Sequence, residues 1–235
     1  MADDKVHYSL ENQTAVIHMD DGRVNGLSPD MLAAIDAQLT RAEKEAAAVV
    51  LVGREGRFSA GFDLSTMGAG REAAGAMVAA GAELLVRMAE FPIPLVAACS
   101  GHAIAAGALL LLASDLRVGT KGDFKIGLNE VTIGMTLPVF ALELARERLS
   151  KRHYTRATQL AEIYAPEGAI DAGFLDELAA PEALRETACA AAERLASLQQ
   201  PAFRATKQRN AAAMTARVRA SLDEDFGALA RRSGT

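Results

Sequence analysis

Glu130 is the side chain in this sequence that is best placed for acid–base chemistry. It lies in GLNEVTIG, residues 127–134, where most neighbours are apolar. A carboxylate buried among apolar groups has a raised pKa, which suits a general base. An exposed loop acid would have the same local sequence, and this segment alone does not decide between the two interpretations.

Two glycine-containing segments could supply backbone N–H donors. The first, FSAGFDL at residues 58–64, follows an apolar run, and the second, GHAIAAG at 101–107, leads into an apolar helical pattern. Small side chains leave the amides of such turns accessible, and the first amides of a helix have no partner within it. Two converging N–H groups would form an oxyanion hole. Either segment taken alone is more typical of a tight packing turn.

Other chemistries find no support in the sequence. A formal net charge of −5 argues against a nucleic acid partner, because phosphate binding needs clustered Lys and Arg. No G-x-G-x-x-G follows a strand, no G-x-x-x-x-G-K is present, and no serine lies in a G-x-S-x-G turn. The four histidines and two cysteines lack metal-ligand spacing, so we expect no metal site.

The sequence gives no sign of a membrane segment. The longest apolar run, at residues 103–113, is much shorter than the ~20 residues that a membrane helix needs. The first ten residues are polar and acidic, unlike a signal or transit peptide. We therefore expect a cytoplasmic protein that has no membrane contact, with Cys99 and Cys189 packed as small apolar groups.

Hydrophobic patterning predicts an α/β fold. Apolar and polar side chains alternate over residues 6–19, a pattern typical of a two-stranded hairpin. Residues 48–53 and 95–99 are apolar runs typical of strands covered on both faces. Ser28 before Pro29 predicts the start of a helix that continues to about Glu45. Alternating strands and helices favour right-handed crossovers. Further predictions are a loop at 54–67 and then a helix to about 90, a turn and helix at 100–115, short strands in DLRVGT and DFKIG, helices at 139–149, 151–160, 181–198 and from 202, and a loop at 166–178.

The last part of the chain is predicted to be helical and rich in alanine. We place a core at residues 1–180 and a helical region at 181–235. The helical region has more apolar surface than an isolated appendage can bury, so we expect it to contact neighbouring subunits.

These segments together resemble the crotonase superfamily of enoyl-CoA hydratases and isomerases. The matching pieces occur in the order VNGLS, FSAGFDL, the G-x-A-x-x-x-G helix entry followed by SDLRVG, and GLNE followed by IG. The resemblance implies the crotonase (ClpP-like) fold of repeated ββα units, with a C-terminal helical region for trimerisation. It also implies binding of acyl-CoA thioesters, a homotrimer or hexamer, and no cofactor, because coenzyme A is part of the substrate.

The resemblance also assigns roles to individual residues. The two N–H donors of the oxyanion hole correspond to Phe62 and Ala106, where most members have glycine at the second position. Glu130 corresponds to a catalytic glutamate. Positions that match the substrate-binding part of the family motif are Val24, Ala60, Asp63, Leu64, Gly107 and Leu109.

The acids indicate a subgroup. Hydratases of this family have two catalytic glutamates, and the first of these positions is Leu109 here, whereas the second is Glu130. An apolar helix residue together with GLNE resembles the mitochondrial-type Δ3,Δ2-enoyl-CoA isomerases, which use one glutamate. We therefore expect an enzyme that shifts the double bond of 3-enoyl-CoA to 2-enoyl-CoA. The alternatives are an enoyl-CoA hydratase and a non-catalytic acyl-CoA-binding protein.

Overall fold

The computed structural model describes residues 5–225 of the 235-residue chain and contains two β-sheets. The larger sheet has six strands in the order β1-β2-β3-β5-β7-β9, and all neighbours are parallel except the hairpin pair β1 and β2. Its strands are β1 (Val6–Glu11), β2 (Thr14–Met19), β3 (Ala48–Gly53), β5 (Leu95–Cys99), β7 (Leu116–Thr120) and β9 (Glu177–Ala179).

The smaller sheet has three parallel strands in the order β4-β6-β8. These are β4 (Gly56–Ser59), β6 (Gly101–Ile104) and β8 (Ile126–Gly127). The predictions of an uninterrupted loop at 54–67 and of only a turn before the helix at 100–115 were therefore wrong. The predicted strand in DFKIG is present as β8. The four-residue strands β4 and β6 depend on pairing with each other, and their own sequences lack a strand pattern.

Nine α-helices connect and cover the sheets in the described part of the chain. They are α1 (Pro29–Glu45), α2 (Leu64–Gly68), α3 (Arg71–Glu90), α4 (Ala106–Leu112), α5 (Val139–Arg148), α6 (Lys151–Thr158), α7 (Pro166–Ala172), α8 (Leu184–Ala196) and α9 (Gln200–Asp225). Short 3₁₀ turns lie at Val131–Ile133 and Pro181–Ala183.

Local signals account for several helix boundaries. Ser28 caps α1 as predicted, because its side chain accepts a hydrogen bond from the amide of Met31. The predicted loop at 166–178 was wrong, since α7 and the start of β9 lie within it. Pro166 opens α7 and Gly173 closes it in a left-handed conformation with φ 98°, the usual pair of signals for a short helix.

The C-terminal helices bury apolar surface on their own chain. In α8, Ala188 and Ala192 pack with Val50 and Val96 on one face of the larger sheet. The longer α9 packs against α3 and α5, and its Met214 belongs to the main hydrophobic core. Part of the apolar surface that we expected to require a neighbouring subunit is thus covered within the chain. The boundary between residues 180 and 181 stays a prediction.

Candidate active site

The candidate residues converge at one edge of the smaller sheet. Its three strands are parallel, so their carboxyl ends lie at the same edge. Phe62 is three residues beyond the end of β4, Ala106 is two beyond β6, and Glu130 is three beyond β8. Ligands of parallel sheets bind at this kind of edge. The fold therefore brings together three residues that are far apart in the sequence.

The loop after β4 turns the amide of Phe62 away from its neighbouring segment. Leu27 donates its amide to the carbonyl of Gly61 at 2.8 Å, and its carbonyl accepts from the amide of Asp63 at 3.3 Å. In this parallel bridge the N–H of the intervening Phe62 points to the opposite side. No acceptor for that N–H is found within residues 5–225. It is free to bind a ligand oxygen.

Gly61 brings this loop against the turn before α4. It has φ +91°, and a Cβ added there would lie 2.9 Å from the Cβ of Ala105 and 3.2 Å from the backbone nitrogen of Ala106. Only glycine permits so close an approach in this backbone conformation. The ring of Phe62 in turn fills the space above Gly81 of α3, where any Cβ would overlap it. The loop that carries the first donor is thus packed from both sides.

The strained residue of the second segment is Ala105 rather than Ala106. Ala105 has φ 54° and ψ −127°, a backbone conformation that residues other than glycine rarely adopt. Its amide donates to the carbonyl of Gly127 at 2.9 Å, which ties the turn to β8. Ala106 then begins α4, so an alanine fits there without strain, and its N–H has no acceptor among the described residues.

Glu130 is held by its backbone and leaves its carboxylate buried. Its carbonyl accepts from the amides of Ile133 at 3.1 Å and Met135 at 2.9 Å, which fixes the 3₁₀ turn. The residue is only 8% exposed, and Oε2 has no hydrogen-bond partner in the described part of the chain. Burial raises the pKa of this carboxyl group, and a hydrogen bond from its own amide offsets part of the rise. A buried carboxylate with a free oxygen can accept and return a proton.

Leu109 lies one turn into α4 and is 1% exposed. Its apolar side chain belongs to the main core, so α4 carries no acid at this position. Gly107 is buried at the point where α4 crosses β4, and a Cβ there would overlap the carbonyl of Ser59. The structure explains Gly107 by packing, and its assignment as a ligand contact stays a prediction.

The residues predicted to contact coenzyme A lie on the loops around this edge. Val24 is 44% exposed and Leu64 is 80% exposed, both high values for apolar side chains. The amide of the exposed Ala60 donates to the carbonyl of Val24 at 3.1 Å, so these two loops are joined. Exposed apolar groups on linked loops are suited to cover a ligand.

Asp63 caps α2 as well as lying next to Phe62. Its Oδ2 accepts from the amide and the hydroxyl of Thr66, each at 2.8 Å, and from the hydroxyl of Ser65. These hydrogen bonds lower the pKa of the Asp63 carboxyl group, and the bond from Ser65 has the largest effect. This acid is therefore engaged in local structure.

Asn25 organises the loop that leads to α1, a role that sequence reasoning missed. It is fully buried with φ 52°, and its Nδ2 donates to the carbonyls of Met19 at 2.9 Å and Phe58 at 3.1 Å. The segment DDGRVNGLS is dense in turn formers and predicts only a loop. The long-range bonds that hold Val24 near β4 have no signal in the sequence.

His102, His153 and Cys99 make contacts that are explained by the packing of the fold. His102 accepts a hydrogen bond from the amide of Lys125 at 2.9 Å, and His153 lies 3.2 Å from the hydroxyl of Tyr164. Cys99 is buried, which raises its pKa to about 12. Within residues 5–225 there is no group of three or more His, Cys, Asp or Glu suited to a metal, and no helix there is long and apolar enough to cross a membrane.

The chain is similar to known proteins in both sequence and fold. The family model for enoyl-CoA hydratase/isomerase matches residues 9–230. Human mitochondrial enoyl-CoA delta isomerase 1 is 30% identical over 217 residues, which cover 90% of this chain and 72% of that protein. A Mycobacterium tuberculosis enoyl-CoA isomerase structure is 42% identical with a TM-score of 0.90, covering 94% of this chain and 96% of that one. An enoyl-CoA hydratase structure from Mycobacterium marinum is 40% identical with a TM-score of 0.89, covering 93% and 96%.

The chain belongs to the enoyl-CoA hydratase/isomerase family and has the crotonase fold. It is thus an enzyme of a family that acts on enoyl-CoA thioesters. Its relatives have both isomerase and hydratase names, so the choice between these two reactions depends on the residues of the site.

Proposed function

We propose that this protein is an enoyl-CoA isomerase that moves the double bond of a 3-enoyl-CoA to the 2-position. The single observation that carries this proposal is the set of acids at the site. Glu130 is a buried carboxylate with a free oxygen, and the α4 position where hydratases of the family have their other glutamate is the buried Leu109.

The amides of Phe62 and Ala106 would hold the thioester carbonyl. Removal of a proton from C2 places negative charge on the thioester oxygen, and N–H donors fixed before the reaction stabilise that charge without reorganisation. The close approach of Gly61 to Ala105, the residues that precede the two donors, supports their use as a pair. The absence of a protein acceptor for either amide in the described residues supports this role.

Glu130 would carry the proton. Its carboxylate takes a proton from C2, the C2–H electrons form the C2–C3 double bond, and the C3–C4 electrons take up the proton that Glu130 returns to C4. Between the two transfers the charge lies on the dienolate, with its oxygen at the two amides. Atoms and charges balance with one acid, whereas hydration must also activate a water molecule. Burial favours this cycle, because it raises the pKa of Glu130 toward neutral pH.

The other expectations from the sequence belong to the same proposal. Val24, Ala60, Asp63 and Leu64 would contact coenzyme A, which needs no separate cofactor beside it. The protein would act as a homotrimer or hexamer in the cytoplasm, without nucleic acid or membrane partners.

A hydratase is the second candidate, because relatives with this name are similar in sequence and structure. In that case a second acid or an ordered water would have to replace the glutamate missing at Leu109.

The discriminating experiment supplies 3-enoyl-CoA and 2-enoyl-CoA separately and identifies the products by chromatography. Double-bond migration in the first reaction and little hydration in the second would support the isomerase. Fast hydration without migration would instead identify a hydratase. Tight binding of both thioesters with no turnover would indicate a non-catalytic binding protein.

A further inference from the structure

A cavity lies at the other end of α4 from the candidate active site. It has a volume of about 620 Å³ and opens between α4, α5 and the first half of α9. Sites for small molecules commonly have volumes of about 300–1,000 Å³ and are mostly apolar with a few polar groups. Ala106 begins α4, whereas this cavity contacts Leu112 and Ala113 at its end. The two sites are therefore separate.

The inner wall of the cavity is apolar. Leu112 comes from α4, Leu144 from α5, and Ala89 from the end of α3. Met214 and Phe203 of α9 complete this wall. Binding of an alkyl chain to such a surface is favourable, because it removes apolar area from water.

Lys207 places a cation in this apolar wall. Its side chain is only 8% exposed, and its Nζ donates to Oδ2 of Asp115 at 2.6 Å. The centroid of the Phe203 ring lies 5.8 Å from Nζ. An ammonium group has three N–H donors, and among the described residues only Asp115 accepts one. Two donors of a buried cation are thus left for a ligand.

Two cations, Lys207 and Arg148, and two carboxylates, Asp115 and Glu147, line the cavity. Asp115 already accepts from the amide of Leu95 at 2.8 Å as well as from Lys207. Arg148 is a second cation, and it donates to the carbonyls of Ser114 and Asp115 rather than to a carboxylate. Glu147 is exposed at the opening and forms no ion pair within 4.0 Å in the part of the chain that the structure describes. Burial lowers the pKa of Lys207, and an added anion would oppose that effect.

We propose that this cavity binds an alkyl carboxylate, with the carboxylate on Lys207 and the alkyl chain against Leu112, Leu144 and Met214. The ligand class follows from one buried cation with two free donors next to an apolar wall. An acyl thioester has no charge at its carbonyl, so the site would favour the free acid over its thioester. The inference does not depend on whether the enzyme is an isomerase or a hydratase.

The test measures binding of sodium decanoate by calorimetry at pH 7, below its micelle concentration. Lys207→Met removes the cation and keeps the apolar stem, and Ala202→Trp fills the opening from an exposed position on α9. Lys151→Met, on the exposed start of α6, is the matched control. We expect one decanoate per chain, at least tenfold weaker binding in the first two variants, and no change in the control. Acetate and 1-decanol, which each lack one half of the ligand, should bind at least tenfold more weakly.

Two results would overturn the proposal. Equal affinity in all four proteins would mean that decanoate adsorbs elsewhere. Absence of decanoate binding to the parent would also refute the proposal. In that case, a change of oligomeric state in Ala202→Trp, measured by light scattering, would assign the cavity to a contact between copies of the chain. Lys207→Met could fail to fold because Asp115 loses its partner. Decanoate binding to Ala202→Trp then tests the proposal, because this variant leaves the Lys207–Asp115 ion pair in place.

Discussion

Replacement of Glu130 by glutamine tests the proposed base with the smallest change of shape. Glu130→Gln keeps the size and shape of the side chain but removes the proton acceptor. General-base catalysis contributes about 10²–10⁴-fold in rate, so we expect a loss of that size in kcat/KM. At about 1.36 kcal/mol per tenfold, the loss corresponds to about 2.7–5.4 kcal/mol of transition-state stabilisation. Binding of the thioester should remain, because the amides of Phe62 and Ala106 are unchanged.

The same substitution should not destabilise the fold at neutral pH. Oε2 of Glu130 is buried without a partner in the described structure, and an unsatisfied buried polar atom costs about 1–3 kcal/mol. The folded-state pKa of Glu130 is raised, so its favourable contribution is complete below the ordinary glutamate pKa and is lost as pH rises through the raised value. Relative to the parent, Glu130→Gln should therefore gain stability as pH increases across that window.

The assay combines a pH series of kcat/KM on 3-enoyl-CoA with urea unfolding at the same pH values. The parent should show an acid limb above the ordinary glutamate range, and Glu130→Gln should lack it. Glu55→Gln, at an exposed position beside β4, is the control and should match the parent in both measurements. Near-normal turnover by Glu130→Gln would refute the reasoning, because Glu130 would then be an ordinary loop acid.

Three further predictions concern the subgroup, the strained turn and the assembly. Leu109→Glu should lower isomerase activity modestly and add measurable hydration of 2-enoyl-CoA, at a stability cost of about 1–3 kcal/mol for the buried acid; product analysis showing no hydration would contradict it. Ala105→Gly should raise the free energy of unfolding by about 1 kcal/mol, because φ 54° is strained for alanine; a lower urea midpoint would contradict it. Light scattering should show a homotrimer or a dimer of trimers, and a monodisperse monomer at micromolar concentration would refute this.

Patterns within a few residues predicted every strand of the larger sheet except β9. The runs at residues 48–53 and 95–99 are apolar throughout and became β3 and β5, and Ser28 with Pro29 marked the start of α1. Of the short strands of the smaller sheet, β8 lies in the predicted strand DFKIG, but β4 and β6 could not be predicted in this way. GRFS in β4 and GHAI in β6 carry glycine and polar residues, and they become strands because they pair with each other across more than 40 positions.

The site was predictable in its parts but not in its geometry. The motifs located Phe62, Ala106 and Glu130, yet their convergence depends on the parallel pairing of β4, β6 and β8. Ala105 shows the same limit, since its positive φ follows from the close approach of Gly61 and the bond to β8. Nothing in a run of small residues indicates which one is strained.

The central claim, that one carboxylate carries the proton from C2 to C4, is tested most directly by isotope transfer. The parent enzyme is supplied in ordinary water with 3-enoyl-CoA that carries deuterium at C2, and the product is examined by NMR. Because Glu130 is buried and only 8% exposed, part of the deuterium removed from C2 should appear at C4 before it exchanges with solvent. A product with only solvent hydrogen at C4 would contradict the single-base account, because water or a second acid would then deliver that proton.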